Sequence, residues 1–195
     1  MAVAPLARGT GKPGSAGVSA GPEIAIIDPE GRPLPPGSRG EIVVRGINVM
    51  AGYEDDLATT TDSFRDGWYR TGDLGHLDAD GFLFITGRLK EIINRGGEKI
   101  APREVEEVLL PHPAVREAVT FGAPHRTLGE DIAAAVVLAQ GAAVTPAALR
   151  VSTAERVSAS KVPRQIMLLR EIPRGLTGKP DRAALARAVA AEVTV

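Results

Sequence analysis

The apolar residues change period near residue 90, and a chain patterned in this way has to build two different kinds of core. Between Glu23 and Gly87 they fall in short β-branched runs, EIAIID and EIVVRG, separated by PEGRPLPPGSRG, a stretch of turn formers. GHLDADGFLFITG adds a hairpin, with DADG as its turn between HL and FLFIT. This portion is expected to be a small β unit. After Lys90, helical and strand patterns alternate. APREVEEVLLPHP puts Pro102 in a helix first turn, acidic residues early, and Val105, Val108 and Leu109 on one face, with PHP ending it. AVREAVTFGAP and DIAAAVVLAQ are apolar runs of strand length around a loop. TPAALRVSTAERVSAS begins a helix with Thr145 as N-cap and Pro146 at the first helical position. RQIMLLREIP reads as a buried strand, and PDRAALARAVAAEV as a terminal helix with Asp181 near its cap. The predicted fold class is α+β: a β-rich subdomain, then a compact α+β domain with helices packed on a short sheet. A length of 195 residues suffices for one sizeable core or two small ones, and the change of period favours two.

Composition removes several classes of function. Lys and Arg total 23 against 24 Asp and Glu, for a net charge of −1, so the chain has no excess basic field for nucleic acid or anionic lipid. With 0 cysteines there are no disulfides, thiolate nucleophiles or cysteine metal sites. His76, His112 and His125 lack helical ligand spacing, so no metal site is expected, and each reads as a surface or loop histidine. The N-terminal MAVAPLARGTGKPGSAGVSAGP has no basic start followed by an apolar run and nothing of bilayer length, which leads to the expectation of a soluble cytoplasmic protein. Its Gly, Pro and Ser content fits a flexible leader or a chain that begins partway through a larger domain.

Four stretches carry residues suited to chemistry, each with a plainer alternative. In WYRTGDLG, Asp73 follows a glycine in an expected tight turn, where a carboxylate can accept from two neighbouring hydroxyls, each charge-assisted bond contributing ~1.5–3 kcal/mol. On composition alone a turn cap is the commoner reading. GRLKE sets Arg88 and Lys90 between the two units, as a solvated linker or as a hinge from which Arg88 reaches back to a nucleotide. NRGG, with Gly96 and Gly97, suits close backbone approach to a ligand or a hairpin turn. PRGLTGKPDR presents Lys179 on a turn before a helix. A Walker-type phosphate loop is excluded, since Pro180 stands where Ser or Thr is required. That leaves a mobile loop delivering one ammonium, or an ordinary exposed lysine.

In this order and at these separations, YRTGDLG, GRLKEIINRGGEKIAPREVE, HPAVREAVTFGAP, KVP and LTGKPDR resemble the AMP-forming acid ligases. That family comprises acyl-CoA synthetases, peptide-synthetase adenylation domains and firefly-type luciferases. The resemblance covers nearly the whole chain. It implies that residues 1–87 are the last β subdomain of a large AMP-binding domain, 88–90 a hinge, and 91–195 the small lid domain. It implies further that Asp73 holds ribose hydroxyls, that Arg88 supports the same nucleotide, and that Lys90 occupies the hinge position. Lys179 would bridge carboxylate and α-phosphate during adenylation, and Gly96 and Gly97 would lie beside the incoming pantetheine thiol. ATP, Mg2+ and CoA are the implied cofactors, with ATP and Mg2+ bound mainly outside this chain, and a small carboxylic acid is the implied substrate. Lys90 and KIAPREVE are similar to acid–CoA ligases rather than to peptide-synthetase domains, and residues 93–138 most resemble the oxalate–CoA ligase group.

Two departures temper what the resemblance implies. The Ser/Thr/Gly-rich loop for the β- and γ-phosphates and the aromatic-Thr-Glu segment beside adenine are both missing, so the chain is expected to be inactive alone. A large-domain segment supplied in trans, or a non-catalytic interaction module, are the alternatives. Val151 and Ser152 stand where the family commonly has an aromatic residue, which predicts looser packing of that helix.

Overall fold

The computed structural model describes residues 2–3 and 11–192, and the chain divides into two units, residues 1–90 and 91–195. The N-terminal leader reading falls partly on residues 1 and 4–10, which lie outside the described residues.

In the first unit a two-stranded ribbon, β1 (Ala2–Val3) with β2 (Val18–Ser19), accompanies a five-stranded antiparallel sheet. The sheet is built from β3 (Glu23–Ile27) and β4 (Gly40–Arg45), then, beyond helix α1 (Leu57–Ser63), from β5 (Phe64–Arg65), β6 (Trp68–Leu77) and β7 (Leu83–Arg88). β3 pairs with β4 and β4 with β6, while β5 and β7 also pair with β6. The predicted EIAIID and EIVVRG strands and the DADG hairpin are all present. Ile26, Ile42 and Leu83 form the buried centre, flanked by Ile24, Leu34, Leu77 and Ile85. Helix α1 corrects the all-strand expectation for this part. LATTTDS buries no residue and has no apolar face to betray it. It starts because the Asp56 carboxylate accepts from Thr59 N at 2.9 Å and from Thr59 Oγ1 at 2.6 Å.

The second unit opens with a 3₁₀ turn at Leu89–Glu91, shared across the boundary, and the hairpin β8 (Ile93–Arg95) and β9 (Glu98–Ile100). Then come α2 (Pro102–Leu109), β10 (Val115–His125), β11 (Gly129–Leu138), α3 (Pro146–Ala154), β12 (Gln165–Leu169) and α4 (Arg182–Glu192), the predicted order from residue 102 onward. β11 is the spine: antiparallel to β10, parallel to β12, and paired with β8 at Gly129. Side chains alternate across a strand, so IAAAVVL, apolar from Ile132 to Leu138, must be covered on both faces. Ile132, Ala134 and Val136 join Val105, Leu109 and Leu149 of α2 and α3. Ala133, Ala135 and Val137 join Phe121 of β10 and Leu185 and Val189 of α4.

Caps act as predicted: Thr145 Oγ1 accepts from Ala148 N at 3.2 Å, and Asp181 Oδ1 from Ala184 N at 2.9 Å. Val108, expected on the buried face of α2, is only half-buried; Pro102, Val105 and Leu109 form that face. Val151 is exposed, and the buried residues of α3 are Leu149 and Thr153.

Candidate functional site

Asp73 sits within β6, not in the tight turn expected from the sequence. Opposite β4, Val43 pairs with Arg70 and Glu41 with Leu74, so the single residue Ile42 faces Thr71, Gly72 and Asp73. That excess is a β-bulge, which re-aims side chains without ending the strand. Gly72 absorbs it with φ of +69°, a value that a Cβ would strain. Thr71 fastens the bulge: its hydroxyl donates to the Ile42 carbonyl at 2.7 Å and accepts from Asp73 N at 3.0 Å. On the other side Asp73 faces Arg88 across the β6–β7 ladder, and Arg88 Nε meets Asp73 Oδ1 at 2.8 Å. The carboxylate is 26% exposed and the guanidinium 56%, so the pair adds little stability, about 0–1 kcal/mol. Oδ2 has no partner among the described residues. The Tyr69 hydroxyl is pushed above its ordinary pKa by its hydrogen bond with Tyr53, by partial burial, and by the negative charges of Tyr53 and Asp73. The bulge therefore presents one carboxylate oxygen to solvent beside a guanidinium and a tyrosine pair.

Gly96 and Gly97 form the turn of the β8–β9 hairpin, at φ of +59° and +96°. The turn is tied down by Gly96 N to the Leu128 carbonyl at 2.9 Å and Gly97 N to Asn94 Oδ1 at 3.1 Å. Asn94 N donates to Glu130 Oε2 at 2.8 Å, and Arg95 Nε meets Asp131 Oδ1 at 2.7 Å. Burial raises the pKa of Asp131, but the hydrogen bonds from Arg95 and Ile132 N outweigh it and hold the carboxyl below its ordinary value. Both glycines are exposed, and nothing lies within 4 Å of where a Cβ on Gly97 would stand. A slender ligand can thus run against open backbone.

Lys179 sits on a loop between β12 and α4. Gly175 N donates to the Lys179 carbonyl and Gly178 N to the Gly175 carbonyl, both at 2.9 Å, while Asp181 N closes the base on the Pro173 carbonyl at 2.8 Å. The Lys179 side chain is exposed and its ammonium has no partner among the described residues. Lys90 is exposed on the 3₁₀ turn that ends the first unit. Of the six residues singled out in the sequence, the structure pairs Asp73 with Arg88 and sets Gly96 beside Gly97; Lys90 and Lys179 stand on their own elements.

Sequence reasoning missed Thr71, Arg174 and Arg182. Thr71 had a signal, since a hydroxyl two residues before a constrained aspartate commonly bonds its backbone. Arg182 had one too: a cation in the first turn of α4 opposes the helix dipole and so calls for carboxylates elsewhere. His76 is in β6, stacked on Phe84 at 5.0 Å between ring centroids, rather than in a loop. Among the described residues no group of three or more His, Cys, Asp or Glu could hold a metal ion, and no helix is long and apolar enough to cross a membrane.

Comparison with known proteins yields consistent matches. Residues 1–54 match the AMP-binding enzyme family and residues 104–179 the AMP-binding enzyme C-terminal domain. The chain is 41% identical to an oxalate–CoA ligase of Arabidopsis thaliana over 180 residues, which is 92% of this chain and 35% of that protein. It is 44% identical to a sulfoacetate–CoA ligase of Cupriavidus necator, covering 93% of this chain and 36% of the relative. Among solved structures, the o-succinylbenzoate CoA synthetase of Bacillus subtilis in complex with its acyl-adenylate intermediate superposes with a TM-score of 0.81 at 40% identity, over 89% of this chain and 36% of that one. The chain thus spans about a third of the length of the relatives it matches.

Proposed function

The chain belongs to the AMP-binding enzymes, and from that premise we propose that it is the C-terminal portion of an ATP-dependent, AMP-forming carboxylic acid–CoA ligase acting in the cytoplasm. Residues 1–87 complete the large AMP-binding domain, 88–90 form the hinge, and 91–195 the lid domain. In the first half-reaction a carboxylate oxygen attacks the α-phosphorus of ATP and pyrophosphate leaves. In the second, the CoA thiol attacks the acyl carbonyl and AMP leaves. The observation that supports this reading most is the bulge at Asp73, which leaves Oδ2 open to accept from ribose hydroxyls while Arg88, on Oδ1, balances the charge.

The exposed ammonium of Lys179 suits the in-line transition state of adenylation, where negative charge gathers between carboxylate and α-phosphate. The open backbone at Gly97, with Gly96 beside the Leu128 side chain, suits the thin pantetheine arm in the second step. Rotation about Lys90 withdraws the lysine loop and brings in the glycine turn. Among the described residues no group of three or more His, Asp or Glu fits magnesium. The named activities of the relatives point to a small carboxylic acid, with oxalate and sulfoacetate the first to try.

The test is pyrophosphate release with ATP, magnesium and a panel of short acids, on the chain alone and on the chain joined to the upstream portion of the sulfoacetate–CoA ligase. The joined protein should be active and the chain alone silent. Release by the chain alone, or a silent joined protein that nevertheless binds AMP no better than its Asp73→Asn variant, contradicts the proposal.

A further inference from the structure

Two arginines flank Lys179, and both are tied to the same strand. Arg174 Nη1 donates to the Gly178 carbonyl at 3.0 Å, the peptide immediately before Lys179, while its Nη2 meets Glu117 Oε2 of β10 at 2.9 Å. Arg182 Nε donates to the Thr120 carbonyl of β10 at 3.0 Å. Its Nη2 meets Glu106 Oε1 of α2 at 2.9 Å, and its Nη1 lies 3.4 Å from Glu91 Oε2 in the 3₁₀ turn that follows Lys90. Glu106 Oε1 also accepts from Thr120 N at 2.8 Å, so the guanidinium, the carboxylate and the β10 backbone close a ring.

We propose that Arg174 and Arg182 are positioning residues for Lys179, stapling its loop to β10 at two points and, through Glu91, to the exit of the proposed hinge. This rests on the role given to Lys179 above. Stability does not account for Arg174, whereas Arg182, whose pair with Glu106 is only 23% and 15% exposed, also ties α4 to α2 and β10. The Arg174–Glu117 pair is 48% and 35% exposed, a setting in which ion pairs contribute little to folding. Arg182 places its cation at the dipole end that disfavours it. What both do is fix the ends of a segment whose middle, from Gly175 to Lys179, is exposed. An ammonium that must reach a transition state needs such a base, since a misplacement of about 1 Å costs roughly 10²-fold in rate. The link to Glu91 makes the lysine loop move as one body with the first residue after Lys90.

The test uses Arg174→Gln and Arg182→Lys, alone and combined with Lys179→Ala, in the chain joined to the upstream portion of the sulfoacetate–CoA ligase. Lysine at 182 keeps the charge but reaches only one of the three acceptors. Each single variant should slow adenylation ~10–100-fold through kcat, with KM for ATP little changed. Thioester formation from supplied acyl-adenylate should stay within about 2-fold, and in the Lys179→Ala background each should add less than about 3-fold, since residues acting through one group are not additive. Full additivity with Lys179→Ala, or equal loss in both half-reactions, overturns the proposal. If Lys179→Ala itself leaves adenylation unchanged, the role of Lys179 falls instead, and hydrogen exchange on the chain alone decides the stapling. Arg174→Gln should then speed exchange at the Gly175 and Gly178 amides about 10-fold while Phe121 stays protected; unchanged exchange there overturns it. Should Arg182→Lys fail to fold, the half-exposed Arg174 variant carries the same test.

Discussion

The two units solve the problem of burial differently. Residues 91–195 cover β11 on both faces, with clusters that run from Ile93 to Ile166 on one side and from Val119 to Val189 on the other. Residues 1–90 close around Ile26, Ile42 and Leu83, and leave Ile47 and Leu57 at 109% and 81% exposure, with Met50 and Tyr53 part-exposed beside them in sequence. The difference suits the proposed division of labour. A lid that must carry Lys179 and the glycine turn as a rigid body needs a complete core of its own. A subdomain that presents Asp73 and Arg88 needs only a sheet rigid enough to hold a bulge.

The comparison breaks if a core substitution in one unit unfolds the other. Phe121→Ala should cost the second unit ~3–5 kcal/mol, while fluorescence of Trp68, the single tryptophan and a reporter of the first unit, keeps its own transition. Ile42→Ala should cost the first unit about 2–4 kcal/mol and move the Trp68 transition alone. Helix caps sharpen the contrast at a smaller scale. Thr145→Ala should cost about 1 kcal/mol and leave α3 folded on Leu149, whereas Asp56→Ala, at a similar cost, should melt α1, which buries no residue; helix-specific hydrogen exchange separates the two.

The smallest expected effect is on pH. The Asp131 carboxyl lies below its ordinary pKa in the folded chain, so its contribution is present in full above the unfolded value of about 3.9 and is lost as pH falls through the lower folded value. Asp131→Asn should flatten the acid limb of the second unit's stability below about pH 4 and leave the first unit's limb unchanged. An unaltered acid limb in that variant contradicts the assignment.

Much of this was legible in the sequence because its signals are local. The apolar run within DIAAAVVLAQ marked a strand, Thr145 and Asp181 marked helix starts, and the DADG turn set its hairpin. What escaped were features whose cause lies across the fold. Asp73 reads as a turn residue because Gly72 precedes it, and only pairing with Ile42 on one side and Arg88 on the other turns that glycine into a bulge. Helix α1 is held by one capping carboxylate and threonine hydroxyls rather than by a periodic apolar face. The three acceptors of Arg182 come from residues 91, 106 and 120, too far apart in sequence for spacing to connect them.

The most direct test of the central claim measures the two half-reactions separately for Lys179→Ala, in the chain joined to a relative's upstream portion. The account predicts adenylation slowed ~10²–10³-fold, the scale for losing one preorganised electrostatic contact, with thioester formation from supplied acyl-adenylate nearly unchanged. Equal loss in both half-reactions, or none in adenylation, would contradict it.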